Sequence, residues 1–344
     1  MKIAFLDNRQ MIKMVGRVVC LGIESTAHTF GVGIVKSDGS VLSNVTSVYK
    51  TKKGWGIIPK DAAEHHKRVK KDVLKKALCK AKLKLEDIDI VSFSQGPGLP
   101  LSLRVGMDFV KELSSKTNKP VYGVNHCIAH IEIGMLKTKS KDPVTLYVSG
   151  GNTQVIAFTG RRYRCFGETM DIAIGNALDM FARKVGLDYP GGPKIEQFAK
   201  KGKYVELPYV VKGMDTSFTG IVSEAVRKFK QGAKIEDLCF SLQETCFAML
   251  TEITERALAH TGKDEVLLTG GVAANGRLQQ MLKTMCKDRG ARFFVVPKEF
   301  AGDNGSMIAW TGILSAMSGQ MPVSLDKTDI KPRWRTDELD IMWR

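Results

Sequence analysis

His126 and His130 stand four residues apart in His126-Cys127-Ile128-Ala129-His130, within a stretch, 126–137, whose pattern predicts a helix. Residues at i and i+4 share a helical face about one turn (~5.4 Å) apart, so two imidazoles at this spacing can bind one metal ion. The protease form of the spacing, His-Glu-x-x-His, sets a general-base Glu directly after the first His. Cys127 stands there instead, so the ligands are offered without the base. A polar helix face shows the same spacing as often, and a third ligand would decide. Asp303, in Ala301-Gly302-Asp303-Asn304-Gly305, is the candidate. Two histidines and a carboxylate with open positions suit iron(II), zinc or manganese. The other reading of Asp303 is the N-cap of the helix that follows.

Glycine turns form the second chemical feature. Ser149-Gly150-Gly151-Asn152-Thr153 and Thr269-Gly270-Gly271 each follow an apolar run, where exposed backbone N–H groups suit phosphate or another anion. Neither carries the Lys-Ser/Thr ending of a Walker loop. Each alone is an ordinary turn; together, with Gly191-Gly192 between them, they favour a nucleotide site. Glu24, Asp179 and Glu196 are candidates for ribose or metal-water contacts, or else plain surface carboxylates.

The elements that must position these residues alternate between strand and helix. Strands are predicted at 18–23, 30–35, 88–94 and 120–125, and helices at 61–82 and 101–117. The second half resumes with strands at 144–148 and 154–158 around the first glycine turn. Helices follow at 172–185, 195–200, 219–230 and 235–261, strands at 266–268 and 293–296, and a last helix at 304–318. Both halves place a tight polar turn between two strands, which suggests two α/β lobes with a ligand cleft between them. The divisions expected are an extension at 1–14, a first lobe at 15–140 completed by a helix at 304–325, a second lobe at 141–303 and a tail at 326–344.

Composition excludes some classes. The 344 residues are 43% hydrophobic and 26% charged, ordinary for a globular protein. No apolar run approaches the ~20 residues that span a bilayer, and 15–23 is too short for a signal-peptide core. Seven cysteines without a Cys-x-x-Cys pair fit a reducing compartment, so cytoplasmic location is expected and no membrane partner. The net charge of +16 is less ordinary. Lys67, Lys70, Lys71, Lys75, Lys76, Lys80, Lys82 and Lys84 crowd one helical region, with smaller groups at Lys52-Lys53, Arg161-Arg162-Arg164 and Arg227-Lys228-Lys230. A nucleic-acid surface and a solvated helix face explain the lysines equally well.

Several motifs together resemble one family. They are Gly22-Ile23-Glu24-Ser25-Thr26-Ala27-His28-Thr29, Gln95-Gly96-Pro97-Gly98, Asn125-His126-Cys127-Ile128-Ala129-His130-Ile131-Glu132 and Tyr147-Val148-Ser149-Gly150-Gly151-Asn152-Thr153. Met214-Asp215-Thr216-Ser217-Phe218, Gly270-Gly271-Val272-Ala273-Ala274-Asn275, Asp303-Asn304-Gly305 and Pro332-Arg333-Trp334-Arg335-Thr336-Asp337 complete the set. From about Val15 to Arg344 the chain resembles the archaeal and eukaryotic catalytic subunit of the KEOPS complex, a tRNA threonylcarbamoyladenosine synthase family once taken for glycoproteases.

The resemblance implies the α/β, two-lobed fold shared by actin, sugar kinases and heat-shock chaperone ATPases, with duplicated domains and a nucleotide cleft. It implies one divalent metal ion per subunit, Fe2+ favoured over Zn2+, held by His126, His130 and Asp303 with Tyr147 added. Nucleotide contacts are implied for Tyr147, Val148, Ser149, Gly150, Gly151, Asp179, Gly192, Glu196 and Asn275, with ATP and AMP analogues as further ligands. The implied substrate is threonylcarbamoyl-AMP. Its acyl group passes to the exocyclic amine of the adenosine 3′ of the anticodon, in tRNAs reading codons that begin with A. The implied partners are tRNA, a separate kinase-like ATPase in place of the kinase domain that some archaeal relatives carry as a fusion, a small dimerising subunit and a tRNA-tail-binding subunit. Ser25 and Thr216 depart from residues frequent in the family. Residues 1–14 lie outside the resemblance; Met14 is an alternative start, and activity is expected to survive without them.

Residue chemistry agrees with the implied reaction. A carbamoyl–phosphate mixed anhydride is already activated, so orientation and charge stabilisation matter more than a nucleophile, and no catalytic residue is needed beyond the metal site. Three rival functions fit the residues less well. A small-molecule kinase on the same fold lacks an evident catalytic Asp, a metalloprotease lacks the base at Cys127, and a non-catalytic nucleic-acid-binding subunit is suggested by charge alone.

Overall fold

A computed structural model of the chain describes residues 18–51 and 56–344. The expected extension 1–14, the start at Met14 and the Lys52-Lys53 pair lie outside the described residues. The chain forms two compact units: 18–51, 56–136 and 303–344 make the first, and 137–302 the second.

The first unit opens with β1 (Val19–Glu24), β2 (Thr29–Lys36) and β3 (Val41–Val48), then α1 (Pro59–Ala81), β4 (Ile90–Gly96), α2 (Pro100–Thr117), β5 (Val121–Asn125) and α3 (His126–Thr138). Its sheet runs β3-β2-β1-β4-β5, antiparallel on the β3-β2-β1 side and parallel from β1 to β5. β4 and β5 are buried along their whole length, as parallel strands covered on both faces must be. β3 was not expected: its Ser43, Asn44, Thr46 and Ser47 make a half-exposed edge with little apolar signal. α1 and α2 each begin with Pro at the first helical position, where the missing N–H costs nothing.

The second unit repeats the plan. β6 (Val144–Val148), β7 (Thr153–Thr159) and β8 (Arg162–Glu168) lead to α4 (Ile174–Lys184), α5 (Gly191–Ala199) and a small pair, β9 (Val211–Lys212) with β10 (Asp215–Thr216). Then come α6 (Thr219–Lys230), α7 (Ile235–Thr261), β11 (Glu265–Thr269), α8 (Gly276–Asp288), β12 (Arg292–Val295) and α9 (Lys298–Ala301). Its sheet runs β12-β11-β6-β7-β8, again antiparallel through the opening meander and parallel through the later strands. The two hairpins that look alike in sequence are thus the first strands of two like-ordered sheets. Gly191 and Gly192 form the first turn of α5 and not a free loop, so that helix starts four residues ahead of the expected 195.

α10 (Gly305–Met317) returns to the first unit and packs on β1, β2 and β4. It sits directly on the strand backbone: a Cβ on Gly33 would lie 2.1 Å from the Ser306 nitrogen, and one on Gly22 2.2 Å from that of Ala309. Met307, Ile308 and Ile313 are fully buried there, each contributing roughly 1.5–3 kcal/mol relative to exposure. Residues 326–344 also pack in this unit, with Trp334 and Ile341 buried.

Candidate metal centre

β5 ends in Asn125, which caps the helix that follows. Its Oδ1 accepts from the N–H groups of Cys127 (3.0 Å) and Ile128 (3.2 Å). Its Nδ2 donates to the carbonyl oxygens of Trp334 (3.3 Å) and Arg335 (3.4 Å), tying the start of α3 to the C-terminal segment. That segment also meets the end of β4: Gln95 Nε2 donates to the Asp329 carbonyl at 2.7 Å, and Gly98 N–H to that of Pro332 at 3.1 Å. Gly96 is required there, since a Cβ would come within 1.8 Å of the Lys331 carbonyl oxygen.

So fixed, α3 presents His126 and His130 one turn apart, both buried, with ring centroids 4.7 Å apart and planes at 85°. Asp303 arrives from the other end of the first unit's sequence. Its Oδ1 lies 3.5 Å from His126 Nε2 and 3.3 Å from His130 Nε2, and the three candidate ligand atoms lie within 4.8 Å of one another. Asp303 is not the cap of α10. Asn304 takes that role, accepting from Met307 N–H at 3.1 Å, and leaves the Asp303 carboxylate turned to the histidines.

Glu24, whose task the sequence left open, stands behind His126. Its Oε2 lies 2.9 Å from His126 Nδ1, while Oε1 accepts from the N–H and hydroxyl of Thr26, each at 2.6 Å. Glu24 is fully buried at the end of β1, after four buried residues; a carboxylate in that place was the available signal. Nδ1 is thereby engaged and Nε2 faces Asp303, the carboxylate–histidine arrangement that orients metal ligands.

The charges are coupled. Burial opposes a proton on His126, but the Glu24 carboxylate and the hydrogen bond to Asp303 outweigh it and push the imidazole up to about 10. Burial dominates at His130, whose pKa falls. Asp303 stays well below the usual carboxylate range despite burial, because both imidazoles hydrogen-bond to it. One buried carboxylate, Glu24, and one half-buried carboxylate, Asp303, thus flank one ring, a field that suits a divalent cation in place of the proton. The donor set, two imidazole nitrogens and a carboxylate oxygen, fits such an ion.

The remaining expected residues lie in the second unit. Tyr147 and Val148 are fully buried on β6, and Tyr147 Oη lies 3.5 Å from Asn152 Nδ2. Ser149 Oγ accepts from Gly151 N–H (3.3 Å) and Asn152 N–H (3.0 Å), which shapes the turn. Side chains on Gly150 or Gly151 would meet nothing within 4 Å, so this backbone is open to a ligand. Gly270 joins the two glycine turns: its φ is +97°, and a Cβ would lie 2.2 Å from the Val148 carbonyl oxygen. Asp179 Oδ1 accepts from Gly191 N–H at 2.7 Å, beside Gly192. Glu196 Oε1 accepts from Gly276 N–H at 2.9 Å, and Asn275 caps α8 through Arg277 N–H at 2.9 Å. These acids and amides bind backbone first.

The TsaD family, described as tRNA N6-adenosine threonylcarbamoyltransferase, matches residues 40–310 of the chain. The chain belongs to that family. The family member of Thermococcus kodakarensis, a tRNA N6-adenosine threonylcarbamoyltransferase, is 57% identical over 328 residues, covering 95% of this chain and 100% of its own length. A probable bifunctional tRNA threonylcarbamoyladenosine biosynthesis protein of Methanocaldococcus jannaschii is 56% identical over 95% of this chain, which spans 60% of that protein. Among solved structures, full-length HypF in its phosphate- and nucleotide-bound form aligns with a TM-score of 0.61 at 11% identity, over 88% of this chain and 47% of that one. The Acidaminococcus fermentans (R)-2-hydroxyglutaryl-CoA dehydratase component A aligns with a TM-score of 0.54 at 13% identity, over 87% and 99%. At such identities the likeness shows fold alone. Two five-stranded sheets of like order place the family member in the actin-like ATPase fold that the motifs implied.

Proposed function

We propose that the chain moves the threonylcarbamoyl group of threonylcarbamoyl-AMP to the exocyclic amine of the adenosine 3′ of the anticodon, in tRNAs reading codons that begin with A. The single observation that carries this reading is the convergence of His126, His130 and Asp303 in a chain of this family. The adenosine amine attacks the carbamoyl carbon, the carbon–oxygen bond to phosphate breaks, AMP leaves and the amine gives up a proton.

A divalent ion, Fe2+ or Zn2+, held by His126, His130 and Asp303 with Tyr147 as a further ligand, would supply Lewis acidity toward a carbonyl or phosphate oxygen. The chain's own residues do the rest. Glu24 holds His126 in the tautomer that frees Nε2. The open Ser149–Gly151 backbone offers N–H groups to the adenylate, with Asp179, Gly192, Glu196 and Asn275 around the nucleoside. Cys127 is buried, and no carboxylate takes the place of a protease base beside it.

The partners in this reading are tRNA, a kinase-like ATPase, a small dimerising subunit and a tRNA-tail-binding subunit, as in KEOPS, in the cytoplasm. Among the described residues no helix is long and apolar enough to cross a membrane. Labelled threonylcarbamoyl-AMP, incubated with the chain, those subunits and tRNA, tests the reading. Label in tRNA supports it; none, while a control synthase modifies the same tRNA, overturns it.

A further inference from the structure

Residues 200–212 of the second unit form an exposed ribbon with a composition unlike its surroundings. Residues 202–210 are neither helix nor strand. The ribbon carries four lysines, Lys200, Lys201, Lys203 and Lys212, against one carboxylate, Glu206. All four lysines are exposed, and none has a carboxylate partner among the described residues. Between them stand Tyr204 and Tyr209, 57% and 51% exposed, two of the few large hydrophobic side chains left in solvent.

The ribbon is nonetheless held in place. Gly202 lies against α7, where a Cβ would come within 2.1 Å of the Glu236 carbonyl oxygen. Lys203 N–H donates to Asp237 Oδ1 at 2.7 Å, and Val205 N–H to Ser241 Oγ at 2.6 Å, one turn further along α7. Leu207 is buried, and the Tyr209 hydroxyl donates to Glu252. From Asp237 to Glu252 the ribbon follows about 22 Å of helix, at about 1.5 Å per residue. Its anchors are backbone amides, one apolar side chain and one hydroxyl, so the lysine amines and the Tyr204 ring stay free.

Fixed aromatic faces interleaved with unpaired cations suit unpaired nucleic acid: bases stack on the rings and phosphates meet the amines. The lysine-rich α1 has a different character. It bears no Phe, Tyr or Trp, and Lys67 and Lys76 are paired with Glu64 and Asp72 on the same helix. We infer that residues 200–212 are a docking surface for single-stranded segments of the tRNA substrate, an inference that rests on the transferase reading.

The test uses the full-length chain and a transcribed tRNA reading a codon that begins with A, with binding followed by anisotropy across a salt series. Replacing Lys200, Lys201 and Lys203 together by Ala is expected to lower the slope of log affinity against log salt by about 2, at about 0.7 per phosphate contact on a single strand. Tyr204→Ala is expected to weaken binding about tenfold at fixed salt, while Tyr204→Phe, which keeps the ring, binds as the wild type does. Unchanged affinity and salt slope in the lysine and Tyr204→Ala variants overturn the inference. So does Tyr204→Phe failing as badly as Tyr204→Ala. Modification of the same tRNA is scored in parallel, with partner subunits added. A wild-type chain that does not modify tRNA defeats the transferase reading, whereas one that modifies it while the variants bind normally defeats the ribbon alone.

Discussion

Glu24 and His126 are 102 residues apart in sequence, yet Glu24 Oε2 lies 2.9 Å from His126 Nδ1 in a fully buried pair. Glu24 ends β1 and His126 begins α3 after β5, and the parallel run β1-β4-β5 brings those strand ends together. The sheet order is therefore what lets a carboxylate from the first strand orient an imidazole on the helix that follows the fifth.

Removing that carboxylate should loosen the metal centre without touching a ligand. Glu24→Ala is expected to weaken divalent-metal binding 10- to 100-fold, the usual cost of losing such a partner. Glu24→Gln, which still accepts at Nδ1, should lose less. Competition against a chelator measures both, and equal affinity in wild type and Glu24→Ala would contradict the assignment.

The seat of α10 is equally specific. A Cβ on Gly33 would lie 2.1 Å from Ser306 N, and one on Gly305 2.1 Å from Gly33 N, so neither backbone can yield locally. Gly33→Ala is expected to cost about 3 kcal/mol or more by urea denaturation, as overpacking at backbone does. Because Asp303 leads into this helix, metal affinity should fall with it.

The C-terminal segment holds α3 as well. Trp343 Nε1 donates to Glu132 Oε1 at 2.8 Å, on a buried side chain of the helix that carries both histidines. Trp343→Phe keeps an aromatic side chain, though a smaller one, and removes the donor, leaving a buried carboxylate short of one hydrogen bond. A loss of about 1–3 kcal/mol is expected in equilibrium unfolding.

Acid should weaken the fold through a second group of histidines. His66 is fully buried beside His65, with their Nδ1 atoms 3.4 Å apart; burial, with smaller contributions from His65 and His28, lowers its pKa from 6.5 to about 4. A histidine depressed in the folded state leaves the unfolded chain to take up the proton first. The His66 contribution to stability is complete above about pH 6.5 and is lost as pH falls toward 4, by on the order of 3 kcal/mol. His66→Gln should flatten the dependence of unfolding free energy on pH in that window, with His65, lowered chiefly by burial, supplying the residual slope.

Long apolar-periodic helices were legible to the residue: α6 and α7 run over 219–230 and 235–261 as expected. Elements without that contrast were not. β8 holds Arg162 and Arg164 of the arginine group, at half-buried and exposed positions, and Arg161 lies in the turn before it. α8 does carry an apolar stripe, Leu278, Met281, Leu282, Met285 and Cys286, and is the one missed helix that its own periodicity encodes. The histidine pair was plain from spacing, but its distance to Asp303 depends on α10 returning across the first sheet, which no local pattern encodes. The same holds for Glu24. Its chemistry depends on sheet order, and sheet order is a property of the whole chain.

The most direct test of the account is nucleoside analysis of tRNA after one round with synthetic threonylcarbamoyl-AMP, the partner subunits and either wild-type chain or Asp303→Ala. The account predicts threonylcarbamoyladenosine at the position 3′ of the anticodon with the wild type, and at least a hundredfold less with Asp303→Ala, about the loss expected when an electrostatic group of the site is removed. Unmodified tRNA with the wild-type chain, or equal modification with Asp303→Ala, would contradict it.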